Sequence, residues 1–154
     1  MINQKLARYI TNLAKQDQDI RRKYLKNKKR WTEELELVDN KNLIKIKEII
    51  AKYGWPSNSL VGKKASHLFW LLVQHADHDV KFQKRCLNLM EENTPDWAYL
   101  IDRILVNEGK SQIYGTQFFE NPNGKLIPRP IKNVKMLEKR RKVAGLGSFK
   151  THSP

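Results

Sequence analysis

Gln74-His75-Ala76-Asp77-His78-Asp79 interrupts a stretch that otherwise reads as the apolar seam of a long helix. Counting outward from it, Leu68, Leu72, His75, Asp79, Phe82, Cys86 and Leu89 step by four and three. That spacing puts them on one face of a helix running from about Lys63 to Glu92. All are apolar except His75 and Asp79, which stand four residues apart and within each other's reach. Burying an ionisable pair costs several kcal/mol before its own interactions offset it. A chain that keeps such a pair in its seam uses it either to fix packing or to do chemistry.

The same stepping organises the rest of the chain. Leu6, Ile10, Leu13, Asp17, Ile20 and Tyr24 predict a first helix, with Asp17 in the apolar stripe and Arg21 four residues on to pair with it. Asp39 reads as the cap of a second helix whose inner face is Leu43, Ile46, Ile50 and Tyr53, closed by Gly54-Trp55-Pro56. Thr94-Pro95-Asp96 opens a fourth helix with Trp97, Ile101, Ile104 and Leu105 inward and Gly109 at its end. Residues 112–119 are aromatic and β-prone. Asn121-Pro122-Asn123-Gly124 then gives a turn suited to a type I′ pair, and Lys125 to Ile131 returns with two prolines. A last helix covers about Asn133 to Ala144. The expectation is a single compact domain over 1–150, mainly α with about five helices and one β-hairpin near 111–131. Residues 26–34 and 147–154 are expected to be flexible.

Composition narrows the function classes. At 154 residues and 40% hydrophobic, with four Trp, the chain is long and apolar enough for one folded core. The run Leu68 to Val73 is too short to span a membrane, which takes about 20 residues. Met1-Ile2-Asn3-Gln4-Lys5 has no apolar signal region, so the expected location is the cytoplasm. Cys86 is the single cysteine, and its place in the stripe suits a buried inert thiol. The net charge of +14 is concentrated at the two ends, in runs such as Lys26-Asn27-Lys28-Lys29-Arg30 and Lys139-Arg140-Arg141-Lys142. Such ends could dock on nucleic acid or be solvated surface.

Three constellations can carry chemistry. In the first, Asp79 would hold one ring nitrogen of His75 and leave the other for general acid or base work; a hydrogen-bonded core pair is the plain alternative. In the second, Asp102 would orient a His or Arg and Arg103 would clamp an anion, against a surface ion pair. In the third, Gln112, Tyr114 and Thr116 share one face of a strand, with Gly115 allowing close approach, against a solvated strand face. A metal is not expected: His75, His78 and Asp79 would need Asp102 or His67 as further ligands. No His-Glu-x-x-His, paired Cys or calcium loop is present. No Walker loop or dinucleotide fingerprint appears, so no cofactor is expected.

Several motifs occur together: Asp17…Arg21, Gly54-Trp55-Pro56, Val61-Gly62, Val73-Gln74-His75-Ala76-Asp77-x-Asp79, Phe82-Gln83, Tyr99-Leu100-x-Asp102-Arg103, Gln112-x-Tyr114-Gly115-Thr116-Gln117 and Arg140-Arg141…Gly145-Leu146. In these the chain resembles an uncharacterised family of small bacterial proteins, from about Leu13 to Leu146. Some members look secreted or lipid-anchored; no such leader is expected for this chain. The resemblance supplies no activity. It implies that the polar residues of the motifs serve one shared feature.

The expected function is binding of, or acid/base chemistry on, a small anionic ligand, phosphorylated or nucleotide-like. His75, Asp79 and Asp102 would be catalytic. Asp17, Arg21, Gln74, Asp77, Arg103, Gln112, Tyr114, Thr116, Arg140 and Arg141 would bind the ligand. Two other classes stay open: a basic nucleic-acid-associated protein, and a protein-interaction module of defence or counter-defence with a purely structural polar core.

Overall fold

A computed structural model describes residues 1–26 and 33–152. The chain is mainly helical with one two-stranded antiparallel hairpin, and has more helices than the five expected. It folds as two compact units, Met1–Ala76 and Asp77–Pro154.

In the first unit, α1 (Gln4–Lys26) starts where the Asn3 side chain accepts the Leu6 N–H at 3.0 Å. Its buried stripe is Leu6, Ile10, Ala14 and Asp17. Helix α2 (Glu33–Tyr53) begins with Glu33, Glu34 and Glu36, acids that suit the positive end of the helix dipole. Asp39 is therefore not its cap. It lies well inside α2, on a buried face with Leu35, Asn42, Ile46 and Ile49. Gly54, at φ 69°, ends α2, and Trp55 meets Phe69 edge-on at 5.3 Å. The short α3 (Asn58–Val61) leads into α4 (Lys63–Gln74), whose Ala65, Phe69, Leu72 and Val73 complete this core against α1 and α2. The charge run from Lys26 falls largely on residues 27–32, which lie outside the described residues.

The long third helix expected from Lys63 to Glu92 is two helices. Backbone bonds at the end of α4 tighten to i→i+3, from His75 to Leu72 and from Ala76 to Val73. Asp79 then starts α5 (Val80–Leu87) by accepting the Phe82 N–H at 2.9 Å. An aspartate that caps the next helix cannot also lie mid-helix, so His75 and Asp79 do not share a helix face.

The second unit continues with α6 (Pro95–Asn107), which Thr94 caps by accepting from Trp97 N. Phe82, Cys86, Leu100 and Ile104 are buried here, and Ala98, Tyr114 and Ala144 form a further cluster with Trp97 and Ile113. The hairpin is shorter than expected: β1 (Phe118–Glu120) pairs with β2 (Leu126–Pro128), Phe119 opposite Ile127. In its turn Gly124 bonds back to Asn121 and has φ 78°, but Asn123 has no positive φ, so the I′ pair is not formed. The expected last helix is a 3-10 turn (Val134–Met136) running into α7 (Leu137–Val143). Residues 149–152, placed by the sequence in a flexible tail, form α8 (Phe149–His152). Among the described residues no helix is long and apolar enough to cross a membrane.

Candidate functional site

The first unit gathers four ionisable side chains from three helices. Asp17 is fully buried on α1. Its carboxylate meets the Nδ1 of His75 at 2.9 Å through Oδ2 and 3.1 Å through Oδ1. One helical turn on, Arg21 donates from Nε to both Asp17 oxygens, at 3.2 and 3.3 Å, and from Nη2 to Asp39 of α2. The Gln18 side-chain amide donates a hydrogen bond to Asp17 Oδ2 at 2.8 Å. The orienting carboxylate of His75 is thus Asp17, not Asp79 or Asp102.

Two atoms of this cluster bond to no described residue: Nε2 of His75 and Nη1 of Arg21. The two side chains are 15% and 21% exposed. A carboxylate on Nδ1 holds that nitrogen as the donor and leaves Nε2 to take or give a proton.

The two carboxyls are pushed apart. Burial alone would raise Asp17, but the bond and charge of His75, the charge of Arg21 and the Gln18 amide together hold it below the ordinary value of 3.8. Burial raises Asp39 too, and there Arg21 and His75 offset it only in part while the Asp17 charge adds to it, so Asp39 stands above 3.8. Asp39 is the residue the sequence reading missed. Its signal was its phase with Leu35, Asn42, Ile46 and Ile49, visible once α2 starts at Glu33. Asn42, three residues along the same face, has an amide nitrogen buried without a hydrogen-bond partner among the described residues, a rare condition in folded proteins. Gln74 is buried at the end of α4.

Asp17, Asp39 and His75 each offer a ligand atom, all within 4.8 Å of one another. Two carboxylates and an imidazole suit a divalent cation. Arg21 bonds both carboxylates, however, so the chain supplies positive charge at that point itself.

The other predicted residues fall into two groups in the second unit. Asp77 receives Arg103 as a fork, Nε to Oδ1 at 2.7 Å and Nη2 to Oδ2 at 2.5 Å, with Asn107 at 2.8 Å and Gln83 at 3.4 Å. Burial would raise this carboxyl, but Arg103, Asn107 and Gln83 hold it below the ordinary value. Asp102, fully buried on α6, accepts the backbone N–H groups of Ile113, Tyr114 and Thr116 and the Thr116 hydroxyl. Gln112 bonds the backbone of Gln117 and Arg129. Arg140 donates to the carbonyls of Ile113 and Lys132, and Arg141 to those of Tyr114 and Gly147. Residues 113–116 are therefore a loop wrapped on Asp102, not the strand predicted from period two. Asp79 caps α5. Burial of the Cys86 thiol pushes its pKa up to about 12, so it is not a nucleophile.

Gly115 lets this loop close. At φ +67° it lies where a Cβ would come within 2.8 Å of the Phe149 ring and 3.3 Å of Ile131. That ring stacks with Phe118 and lies beneath the Arg141 guanidinium. Gly115→Ala is expected to cost about 1–3 kcal/mol, read as a lower urea midpoint at unchanged slope. An unshifted midpoint would show that Phe149 yields freely.

A family of unknown function, DUF6624, matches residues 5–152. The chain belongs to DUF6624. No curated protein and no solved structure matches it. The matched range spans the first-unit cluster and both second-unit groups, and the family's description names no reaction.

Proposed function

We propose that this DUF6624 chain binds a small anionic ligand, phosphorylated or nucleotide-like, at the edge formed by His75 and Arg21, and that His75 moves a proton to or from it. The observation that carries this reading is the Asp17–His75 pair: a fully buried carboxylate on Nδ1 of a ring that is 15% exposed, with Nε2 bonded to nothing among the described residues. Arg21 adds a guanidinium edge for the anion, and the unpartnered Asn42 amide lies on the same helix face as Asp39. The roles are then distinct. His75 is the acid/base, Asp17 orients it, Asp39 holds Arg21, and Arg21 binds the anion. Asp102, Gln112, Thr116, Arg140 and Arg141 build the second unit.

The test is titration of the full chain with inorganic phosphate, pyrophosphate and adenosine monophosphate, followed through the ring resonances of His75. At least one anion is expected to shift them saturably, and both His75→Gln and Arg21→Gln to weaken its binding. If a phosphoester is turned over, His75→Gln is expected to slow it by about 10²–10⁴. Flat titrations with all three anions, or binding and turnover unchanged in both variants, would refute the reading.

A further inference from the structure

The N-terminal half of α1 carries a second feature that the His75 cluster does not use. A groove of about 600 Å³ opens between α1 and α2, lined by Lys5, Arg8 and Tyr9 from α1 and by Lys52 and Tyr53 from α2. That size lies in the range of ligand clefts, roughly 300–1,000 Å³. Leu6 and Ile49 form its buried floor. A second recess of about 400 Å³ shares Arg8 and Asn12 with it and extends to Lys63 and Lys64 at the start of α4. The two recesses together form an extended track within the first unit.

Charge and aromatic exposure define what the track fits. Lys5, Arg8, Lys52, Lys63 and Lys64 have no acidic partner among the described residues, unlike Lys45, which pairs with Glu48 at 3.3 Å. Glu48 is the one acid among the described lining residues. Tyr9 and Tyr53 are 41% and 38% exposed, and the Lys52 ammonium lies 5.2 Å from the Tyr53 ring centre. Exposed rings beside unpaired cations are the arrangement with which single-strand-binding proteins stack bases next to a phosphate track. Residues 1–76 also carry sixteen Lys and Arg against seven Asp and Glu, a field that draws in polyanions.

We infer that this groove binds single-stranded nucleic acid, with phosphates along Lys5, Arg8 and Lys52, continuing to Lys63 and Lys64, and with bases stacked on Tyr9 and Tyr53. A duplex fits less well, because its paired bases are stacked on each other and cannot reach the tyrosines. The site is separate from His75, so the two readings fail separately.

Fluorescence anisotropy of the full chain with labelled twenty-nucleotide oligo(dT), oligo(U) and a matched duplex tests this between 20 and 300 mM NaCl. A single strand is expected to bind more tightly than the duplex, with affinity falling steeply as salt rises. Replacing either tyrosine by Ala is expected to weaken single-strand binding by about fivefold or more. The double variant Arg8→Glu/Lys52→Glu is expected to weaken it at least about tenfold and to lower the salt slope. In the wild-type chain, amide shifts on adding oligo(dT) should centre on residues 5–12 and 52–64, a readout that needs no variant to fold. The inference is overturned if no strand binds at 20 mM NaCl. It is overturned equally if duplex and single strand bind alike with both tyrosines dispensable, or if the shifts centre on the basic run 139–142.

Discussion

Asp102→Ala is expected to be the most destabilising single substitution in the second unit, at about 3–5 kcal/mol. The carboxylate is fully buried and accepts from Ile113 N at 2.6 Å, Tyr114 N at 3.0 Å, Thr116 N at 3.1 Å and the Thr116 hydroxyl at 3.0 Å. Alanine removes the acceptor and leaves all four donors. A buried donor without a partner costs about 1–3 kcal/mol, and Tyr114 N is the most enclosed of these groups. Water admitted at the partly buried Ile113 and Thr116 recovers part of the loss, which is why the total stays below four full penalties. Against a typical domain stability of about 5–15 kcal/mol, the change removes a large share. Asp102→Asn keeps one acceptor oxygen but turns an NH₂ toward the donors, and is expected to lose about 2–3 kcal/mol. Urea midpoints measure both. Hydrogen exchange supplies the local signature: the amides of residues 113, 114 and 116 should lose protection before the α6 backbone does. A wild-type midpoint with those amides still protected would show that Asp102 does not hold the loop.

The contrast between Asp102 and the strand once expected over residues 112–119 shows which features a sequence carries. Alternation of Gln112, Tyr114 and Thr116 is real, but backbone amides pair with whatever acceptor reaches them first, and here that is a carboxylate ten or more residues upstream. Local features were legible: the Thr94 cap, the buried phase of Asp17, the Arg21 pairing one turn on and the turn at Gly124 each depend on neighbours within about five residues. The break between α4 and α5 was hidden because the four-and-three stepping stays in phase across 75–79 by accident. Asp79 ahead of a new turn was the competing signal. Asp39 reads as a cap only if α2 starts about two turns late, although Glu33, Glu34 and Glu36 already mark its first turn. The pairing of Asp17 with His75, 58 residues apart, follows from no local pattern. It depends on how α1 packs on α4, and only the folded chain decides it.

That pairing makes Asp17 the second large prediction. Asp17→Ala is expected to cost about 2–4 kcal/mol, near the lower end for breaking a buried charged pair, because Arg21 keeps Asp39 and is partly exposed. The pH dependence separates the two carboxyls. Asp17 is held below 3.8 in the fold, so its stabilisation is complete above the unfolded value and is lost as pH falls through the folded one. Asp39 is raised, so its contribution is complete below the unfolded value and is lost as pH rises through the folded one. Asp17→Asn should therefore remove the rise in stability that the wild type shows as pH climbs toward 3.8. Asp39→Asn should instead remove a decline just above it. Urea midpoints between pH 2.5 and 6 distinguish these slopes. A double-mutant cycle with His75→Gln completes the case: residues in direct contact couple by about 0.5–3 kcal/mol, whereas independent sites add to within about 0.5. Additive losses, with an unchanged acid limb in Asp17→Asn, would mean that the buried carboxylate does not hold the imidazole, and Nε2 would then have no fixed direction in which to meet a ligand.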